Sequence, residues 1–179
     1  SPGIKSAEIG HHFGNPTNYF WRCLFWSGLT PEQISPLDDS TLPERFAYGL
    51  TNLVPRPTAE QGELAPDERA AGVPVFLSKV AQFRPRIVCY VGNQIADTVR
   101  SSLKRTSSSS IILHARYGIE PYKLVNSSDS VVLETLFFAM PSTSGRVVGY
   151  DRQKKIEVFV SLRDTLVTVK RGEMDTGHL

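Results

Sequence analysis

The stretch "RPRIVCYVGNQIADTVRSSL", residues 84–103, decides the fold class of this chain. A turn and a β-branched run come first and predict a buried strand, and from Asn93 onward the apolar residues follow helical spacing. The stretch before it, "APDERAAGVPVFLSKVAQF" (65–83), also predicts a helix. A helix, a strand and a helix in close succession are typical of a parallel sheet covered on both faces. We therefore predict an α/β fold.

Further elements are predicted on both sides of this unit. Short apolar runs between turn residues indicate strands, and capping residues followed by helically spaced apolar residues indicate helices. The predicted strands are "AYGLTNLV" (47–54), "SIILHA" (110–115) and "VVLETLFFAM" (131–140), and the predicted helices are "NYFWRCLFWSGL" (18–29), "TPEQ" (30–33) and "KKIEVFVSLRDTLVTVKR" (154–171). Loops are predicted at 104–110, 116–130 and 141–153, and a loop with a helical turn at 37–46.

Composition narrows the class of protein. The 179 residues suit one domain with its own core, and 40% apolar and 21% charged residues are ordinary values for a globular chain. No apolar run approaches the roughly 18–20 residues of a membrane span, so we expect no membrane partner. Cys23 and Cys89 lie in apolar stretches and predict buried, reduced thiols, too few for an iron–sulfur cluster. A net charge of +2 is compatible with a small number of local DNA phosphate contacts.

The stretch "GHHFGNPTNYFW" (10–21) places two of the four histidines, His11 and His12, side by side. No further ligand stands at zinc spacing, so we predict no metal and no cofactor. The pair either completes hydrogen bonds inside a folded loop or lines a pocket. The chain has no GxSxG, Walker or GxGxxG motif, which argues against a hydrolase triad and nucleotide binding. Asp38 and Asp39 are not predicted as an acid/base pair, because neighbouring side chains do not converge on a helix or strand.

A second stretch of interest is "MPSTSGR" (140–146). Ser142, Thr143, Ser144 and Gly145 are small and leave their backbone groups accessible, and Arg146 adds one long cationic side chain. This composition suits a loop that lies against a phosphate backbone or enters a groove. A surface loop without a partner is the alternative.

Four segments, taken in order, resemble motifs of the mismatch-specific uracil/thymine-DNA glycosylase family within the uracil-DNA glycosylase superfamily. The first, "PGIKSAEIGHHFGNPTNYFWRCLFWSGLT" (2–30), is similar to the family's NPG followed by GHH(Y/F) and N-x-FW. The others are "GLTNLVPRPT" (49–58), "PRIVCYVGNQI" (85–95) and "MPSTSGR" (140–146). The resemblance covers nearly the whole chain and is nearest to the eukaryotic thymine-DNA glycosylases.

The resemblance implies a three-layer α/β/α sandwich around a central parallel four-stranded sheet. Residues 1–179 would form a single uracil-DNA glycosylase-like domain, N-terminally truncated because the family's first strand precedes the first motif. It also implies a monomeric, monofunctional glycosylase without a cofactor, acting in the nucleus in base-excision repair. The partner would be double-stranded DNA with a G·U or G·T mismatch, from which the uracil or thymine is removed.

The same resemblance assigns the pocket residues. A base inside the stack cannot be reached, so it is flipped out at a cost of a few kcal/mol, which is lowest for a mispaired base. Phe13 stands where the family places the aromatic that stacks on the flipped base. Asn52 and Thr58 match polar pocket positions, Ser6 lies near the pyrimidine 5-position, and His12 lies near the leaving base.

The catalytic position is where this chain departs from the family. The family's asparagine, which positions the attacking water, aligns with Ser1, and a serine hydroxyl lacks the paired donor and acceptor of an amide. The catalytic candidates are thus Ser1, by position, and His12. Ser142 to Gly145 match the segment that contacts the phosphate and the opposing guanine, and Arg146 matches the residue that fills the gap left by the flipped nucleotide.

Two alternatives remain open at this point. The change to serine is compatible with a catalytically impaired module that binds mismatched DNA without turnover. A flavodoxin-like domain for a nucleotide or small acid would need a Gly-rich phosphate loop, which the sequence lacks.

Overall fold

The computed structural model describes residues 1–106, 116–147 and 151–179, except for the side chains of Gln61 and Thr106. Six α-helices, two 3₁₀ helices and three strands are found in these ranges. The helices are α1 (Ile4–Ile9), α2 (Phe20–Trp26), α3 (Leu42–Phe46), α4 (Pro66–Phe83), α5 (Asn93–Thr106) and α6 (Arg152–Lys170), with 3₁₀ helices at Pro36–Thr41 and Gln61–Glu63; the strands are β1 (Ile87–Val91), β2 (Gly118–Val125) and β3 (Glu134–Met140). None of the helices in this part of the chain combines the length and apolarity that a membrane span needs.

The strands form one sheet in the order β1-β3-β2, with β3 in the middle. β1 runs parallel to β3 and places Val91 opposite Met140, whereas β2 runs antiparallel to β3. The α/β class is confirmed. The predicted central sheet of four parallel strands is not shown, because the described residues contain a mixed sheet of three strands. The strand predicted at 110–115 lies outside the described residues.

Helices cover both faces of this sheet, because side chains of β3 alternate between them. Phe137 and Ala139 pack with residues of α4 and α5 in one core, which we call the first core. Phe138 and Met140 pack with residues of α2 and α6 in a second core. The predicted sheet with helices on both faces is therefore confirmed.

Four of the predicted helices are present with bounds close to the expected ones: α2, α4, α5 and α6. β1 and β3 also stand where strands are predicted. The loop predicted at 104–110 overlaps the end of α5, and its residues 107–110 lie outside the described residues, as do residues 148–150 of the loop predicted at 141–153. Periodic apolar spacing over long segments therefore identifies these elements correctly.

The strand predicted at 47–54 is wrong. No strand is assigned there, although Leu53 and Val54 are buried. The segment packs on a helix instead: a Cβ atom added to Gly72 of α4 would lie 2.2 Å from the carbonyl oxygen of Leu53. A short apolar run cannot by itself distinguish a partner strand from a partner helix.

Three further expectations fail for local reasons. The helix predicted at 30–33 is absent, because the Thr30 hydroxyl donates to the Glu32 carbonyl, 2.9 Å away, inside a turn. The loop predicted at 116–130 contains β2, whose Pro121 is tolerated at the edge of the described sheet. Helix α1, within the stretch taken as an opening loop, was not predicted; it ends at Gly10, whose φ of 75° is left-handed.

The two cysteines are free thiols, as predicted; Cys23 is buried as expected, whereas Cys89 is half-buried. Burial raises the pKa of Cys23 to about 11, and burial also raises the pKa of Cys89. The thiolate is the nucleophilic form, so neither side chain is set up for nucleophilic chemistry at neutral pH.

Candidate functional site

The candidate site is at the edge of the sheet where β1 and β3 end. Because the two strands are parallel, both carboxyl ends lie at this edge, and in open α/β sheets ligands bind beyond it. Residues 141–147 follow β3 there and have no regular structure; we call them the 141–147 loop. The second component is the opening loop, residues 10–19, between α1 and α2.

The two loops are in direct contact. The backbone N–H of Tyr19 donates to the carbonyl oxygen of Thr143, with 2.9 Å between nitrogen and oxygen. Gly145 lies so close to Thr17 that an added Cβ atom would be 2.6 Å from the Thr17 carbonyl oxygen. The side chain of Thr143 is buried, and its hydroxyl has no hydrogen-bond partner in the described part of the chain. Thr143 therefore anchors the 141–147 loop inside the protein, and its carbonyl oxygen is used by Tyr19.

Local hydrogen bonds shape the remainder of the 141–147 loop. The N–H of Ser144 donates to the Ser142 hydroxyl at 3.3 Å, and the N–H of Arg146 donates to the Ser144 hydroxyl at 3.2 Å. Gly145 and Arg146 are exposed. The Arg146 guanidinium makes no hydrogen bond or ion pair within residues 1–106, 116–147 and 151–179, so a cation is held at the surface of an ordered turn.

Lys155, in the first turn of α6, contacts the buried side of this loop. The sequence did not identify it as a site residue. It is buried, its Nζ donates to the Ser144 carbonyl oxygen at 3.2 Å, and the same atom lies 5.1 Å from the centre of the Tyr19 ring. Arg22 also approaches that ring, at 5.0 Å. Lys155 stands four residues before the buried Phe159, so its helical spacing could have indicated a buried position.

The opening loop folds back onto α1. The N–H of Gly14 donates to the buried Ser6 hydroxyl at 2.9 Å, and the N–H of His11 donates to the Ser6 carbonyl oxygen at 3.0 Å. Phe13 has a φ of 51°, a left-handed conformation that costs a bulky residue roughly 1–3 kcal/mol and is enriched at functional sites. One face of its half-buried ring stacks on Phe20, with 3.8 Å between ring centres. A ligand can therefore meet only the part of Phe13 that Phe20 leaves uncovered.

The histidine pair converges on one carboxylate, that of Asp39. The Nδ1 atoms of His11 and His12 lie 2.9 Å from Oδ1 and Oδ2 of Asp39, respectively. The backbone N–H of His12 also donates to Oδ2, at 2.8 Å. The Asp39 side chain is only 9% exposed, whereas those of His11 and His12 are 27% and 30% exposed. Both histidines are candidates from the sequence, whereas no role is predicted there for the aspartate that holds them.

This arrangement determines which ring nitrogens are free. Burial alone would raise the pKa of Asp39, but the His12 N–H and the two imidazole side chains outweigh it and hold that pKa below its usual range. An ionised carboxylate only accepts hydrogen bonds, so each Nδ1 carries the proton. Nε2 of each ring is then an acceptor in the neutral imidazole and a donor in the imidazolium. Neither Nε2 atom has a hydrogen-bond partner among the described residues.

Ser1 and Thr58 are paired with each other. Their hydroxyl oxygens lie 2.8 Å apart, and the N–H of the buried Thr58 donates to the Pro2 carbonyl oxygen at 3.0 Å. Gly3 and Thr58 form an isolated parallel bridge. The segment that begins the chain is thus held against the end of the segment 49–58.

The structure therefore joins most of the predicted site residues through contacts. Ser1 meets Thr58, Ser6 holds the opening loop, and that loop touches the 141–147 loop. Asn52 is not part of this group: it is half-buried and its side chain makes no hydrogen bond within the described ranges. Its neighbour Leu53 packs against α4 in the first core.

A family model matches most of the chain. The family model of the uracil DNA glycosylase superfamily matches residues 1–166, which include the opening loop, Asp39 and the 141–147 loop. Members of this superfamily are DNA glycosylases, hydrolases that act on the N-glycosyl bonds of DNA. The chain belongs to the uracil-DNA glycosylase superfamily.

Proposed function

We propose that this protein is a monofunctional, mismatch-specific DNA glycosylase that removes uracil or thymine opposite guanine. The observation that carries the proposal is the contact between the two loops at Tyr19 and Thr143. It links the loop that bears His12 and Phe13 to the loop that bears the exposed Arg146. A pocket for one flipped base and a residue that fills the resulting gap in the duplex need this proximity.

The free Nε2 of His12 is the group that we assign to the chemistry. When the glycosidic bond breaks, the base leaves with its bonding electrons and positive charge develops on the sugar, whose anomeric carbon receives the oxygen of water. A neutral His12 accepts the proton of that water at Nε2, whereas a protonated His12 donates from Nε2 to the oxygen of the leaving base. In either form Nδ1 keeps its proton and its hydrogen bond to Asp39.

The preference for a mismatch follows from the cost of extraction. A mispaired base is easier to unstack than a Watson–Crick paired one, and a chain with a net charge of +2 has limited phosphate attraction to offset that cost. Arg146 is well suited to occupy the vacated space, because its guanidinium has no competing partner in the described part of the chain. The half-buried Phe13 offers the base a partial stacking surface.

One observation favours a second candidate, a module that binds mismatched DNA without turnover. The Ser1 hydroxyl, at the position of the family's water-holding asparagine, is engaged with the Thr58 hydroxyl at 2.8 Å. A hydroxyl committed to this pair is less available to hold a water molecule. The two candidates differ in whether excision follows once binding is saturated.

A single-turnover excision assay tests the proposal. Duplexes with one G·U, one G·T or one A·U pair are incubated with excess protein, and base release is followed for the chain and for Ser1→Asn. We expect the excision rate to be highest for G·U, lower for G·T and lowest for A·U. Saturable binding of G·U without excision by either form supports the binding module, and equal rates on G·U and A·U contradict mismatch specificity.

A further inference from the structure

The Asp39 cluster carries an inference beyond the family assignment. We propose that Asp39 is a positioning residue: it holds His11 and His12 in the form protonated at Nδ1 and so makes Nε2 of His12 the nitrogen that meets the substrate. The consequence for excision rests on the function proposed above, whereas the hydrogen-bond arrangement itself does not.

The number of donors on Asp39 is the first argument. A carboxylate has about four acceptor positions, and three of them are filled here by the two Nδ1–H groups and the His12 backbone N–H. Three donors restrict both the position and the rotation of the carboxylate. Since His12 contributes two of the three, its backbone and its ring are fixed relative to the same oxygen.

The backbone geometry is the second argument. Side chains of neighbouring residues point apart on a strand and diverge on a helix, so His11 and His12 could not reach one carboxylate from either. They reach it from a turn between Gly10, with φ 75°, and Phe13, with φ 51°. The left-handed Phe13 costs free energy that the surrounding contacts must offset. A loop that only needed to be anchored would not require this conformation.

The free nitrogens are the third argument. Each ring uses Nδ1 on Asp39 and keeps about three tenths of its side chain exposed. Neither Nε2 atom is used by another group in the described part of the chain, so both remain available to a ligand. Here Asp39 selects one tautomer and leaves the other nitrogen open to solvent, which is how a second residue orients a working imidazole.

Long-range ¹H–¹⁵N NMR of the histidine side chains tests the arrangement without DNA. In the unmodified protein we expect His11 and His12 to carry the proton on Nδ1, with assignments taken from His11→Gln and His12→Gln. In Asp39→Asn the amide oxygen must face His12, whose backbone N–H can only donate, so the amide NH₂ faces Nδ1 of His11. His11 should therefore switch its proton to Nε2 while His12 keeps it on Nδ1.

Two further variants complete the NMR series. In Asp39→Ala neither ring has a partner, and both should return to the tautomer mixture of an unstructured peptide. Asp38→Asn removes the same charge from the exposed neighbour and should leave both rings unchanged. A His12 ring that carries its proton on Nε2 in the unmodified protein overturns the proposal.

Single-turnover excision of G·U tests the consequence. We expect Asp39→Ala to lower the rate by about 10- to 100-fold, by analogy with the loss seen when the hydrogen-bond partner of a metal-ligating histidine is removed, and Asp39→Asn to lower it less. Asp38→Asn should match the unmodified protein. Unchanged excision by a folded Asp39→Ala overturns the proposal. If the alanine variant does not fold, the NMR of Asp39→Asn decides, because a His11 that still carries its proton on Nδ1 there contradicts the proposal. Absence of excision by the unmodified protein refutes the proposed glycosylase instead, and the NMR series then decides the role of Asp39.

Discussion

Among the described residues, the carboxylate of Glu120 is buried on the first-core side of the sheet and that of Asp39 is only 9% exposed near the second core, and the partners of the two differ. On the first-core side, Glu120 of β2 is 2% exposed and is bound by the Arg100 guanidinium through two hydrogen bonds, Nε to Oε2 at 2.8 Å and Nη2 to Oε1 at 2.5 Å. Near the second core, Asp39 is bound by two histidines. Arginine keeps its proton at all working pH values, whereas an imidazole can exchange one. In this protein we therefore assign chemistry to the Asp39 cluster, whose partners keep a free nitrogen, and a structural role to the Glu120 ion pair.

The surroundings reinforce this difference. Arg100 also donates to Asp97, at 2.9 Å. The pKa of Arg100 is raised, chiefly by its hydrogen bonds to Glu120. The hydroxyl of the half-buried Tyr122 donates to that of the buried Tyr90, with 3.3 Å between the two oxygens. The charged groups of this network are paired with one another. We therefore expect changes near Arg100 to lower stability and changes near Asp39 to lower the excision rate.

The largest expected effect is on the Asp39 side, in His12→Gln. Loss of a positioned acid or base lowers a rate by about 100- to 10,000-fold, and we expect a loss in that range for single-turnover excision of G·U. Urea unfolding should show little change in stability. His178→Gln, at an exposed position, is the matched control and should be neutral. An unchanged rate in His12→Gln would contradict a role for His12, and for the Asp39 cluster, in the chemistry.

Arg100→Met should give the next largest effect, now on stability. It leaves Glu120 buried without its counter-charge, so the free energy of unfolding in urea should fall by about 3–5 kcal/mol. The double variant Arg100→Met with Glu120→Leu should recover most of the loss. Arg105→Met, at an exposed position of the same helix, is the control. If Arg100→Met has the same free energy of unfolding as the unmodified protein, the ion pair between Arg100 and Glu120 does not stabilise this side of the sheet.

Gly72→Ala tests whether the first core also positions the site. The added Cβ would lie 2.2 Å from the Leu53 carbonyl oxygen, so α4 and the segment that carries Asn52 must separate. Overpacking costs about 1–3 kcal/mol, and the gain in helix propensity offsets up to about 1 kcal/mol of it. We expect a net loss in urea unfolding together with slower excision. Gly49→Ala, with nothing within 4 Å of the new atom, should be silent in both measurements.

The smallest effect is expected for Lys155→Met. The change removes the hydrogen bond to the Ser144 carbonyl and the contact with the Tyr19 ring, together worth about 1–2 kcal/mol. Affinity for the G·U duplex should weaken a few-fold, because the 141–147 loop loses its support, while the first core is undisturbed. Lys154→Met, at the exposed neighbouring position, separates this effect from a general loss of positive charge. Equal weakening in both variants would mean that Lys155 acts through charge alone.

Prediction from the sequence succeeded where the signal is local and extended. The helices α4 and α5 and the strand β1 between them follow from apolar spacing within 84–103 and the stretch before it. The sequence-based prediction failed at 47–54, where the apolar run packs on Gly72 of α4. It also failed at β2, an edge strand that contains Pro121 and was predicted as a loop. The partner of a short segment lies elsewhere in the chain, so its own residues do not determine which element it joins.

The sequence by itself determined the α/β class, the positions of the motifs and the presence of a histidine pair beside an aromatic. Tertiary structure alone decided that Asp39, 28 residues after His11, holds that pair, that Ser1 meets Thr58 across 57 residues, and that Tyr19 meets Thr143. It also decided that β2 runs against β3. Apolar periodicity acts within one element, whereas hydrogen bonds between distant segments exist only after the two cores bring those segments together.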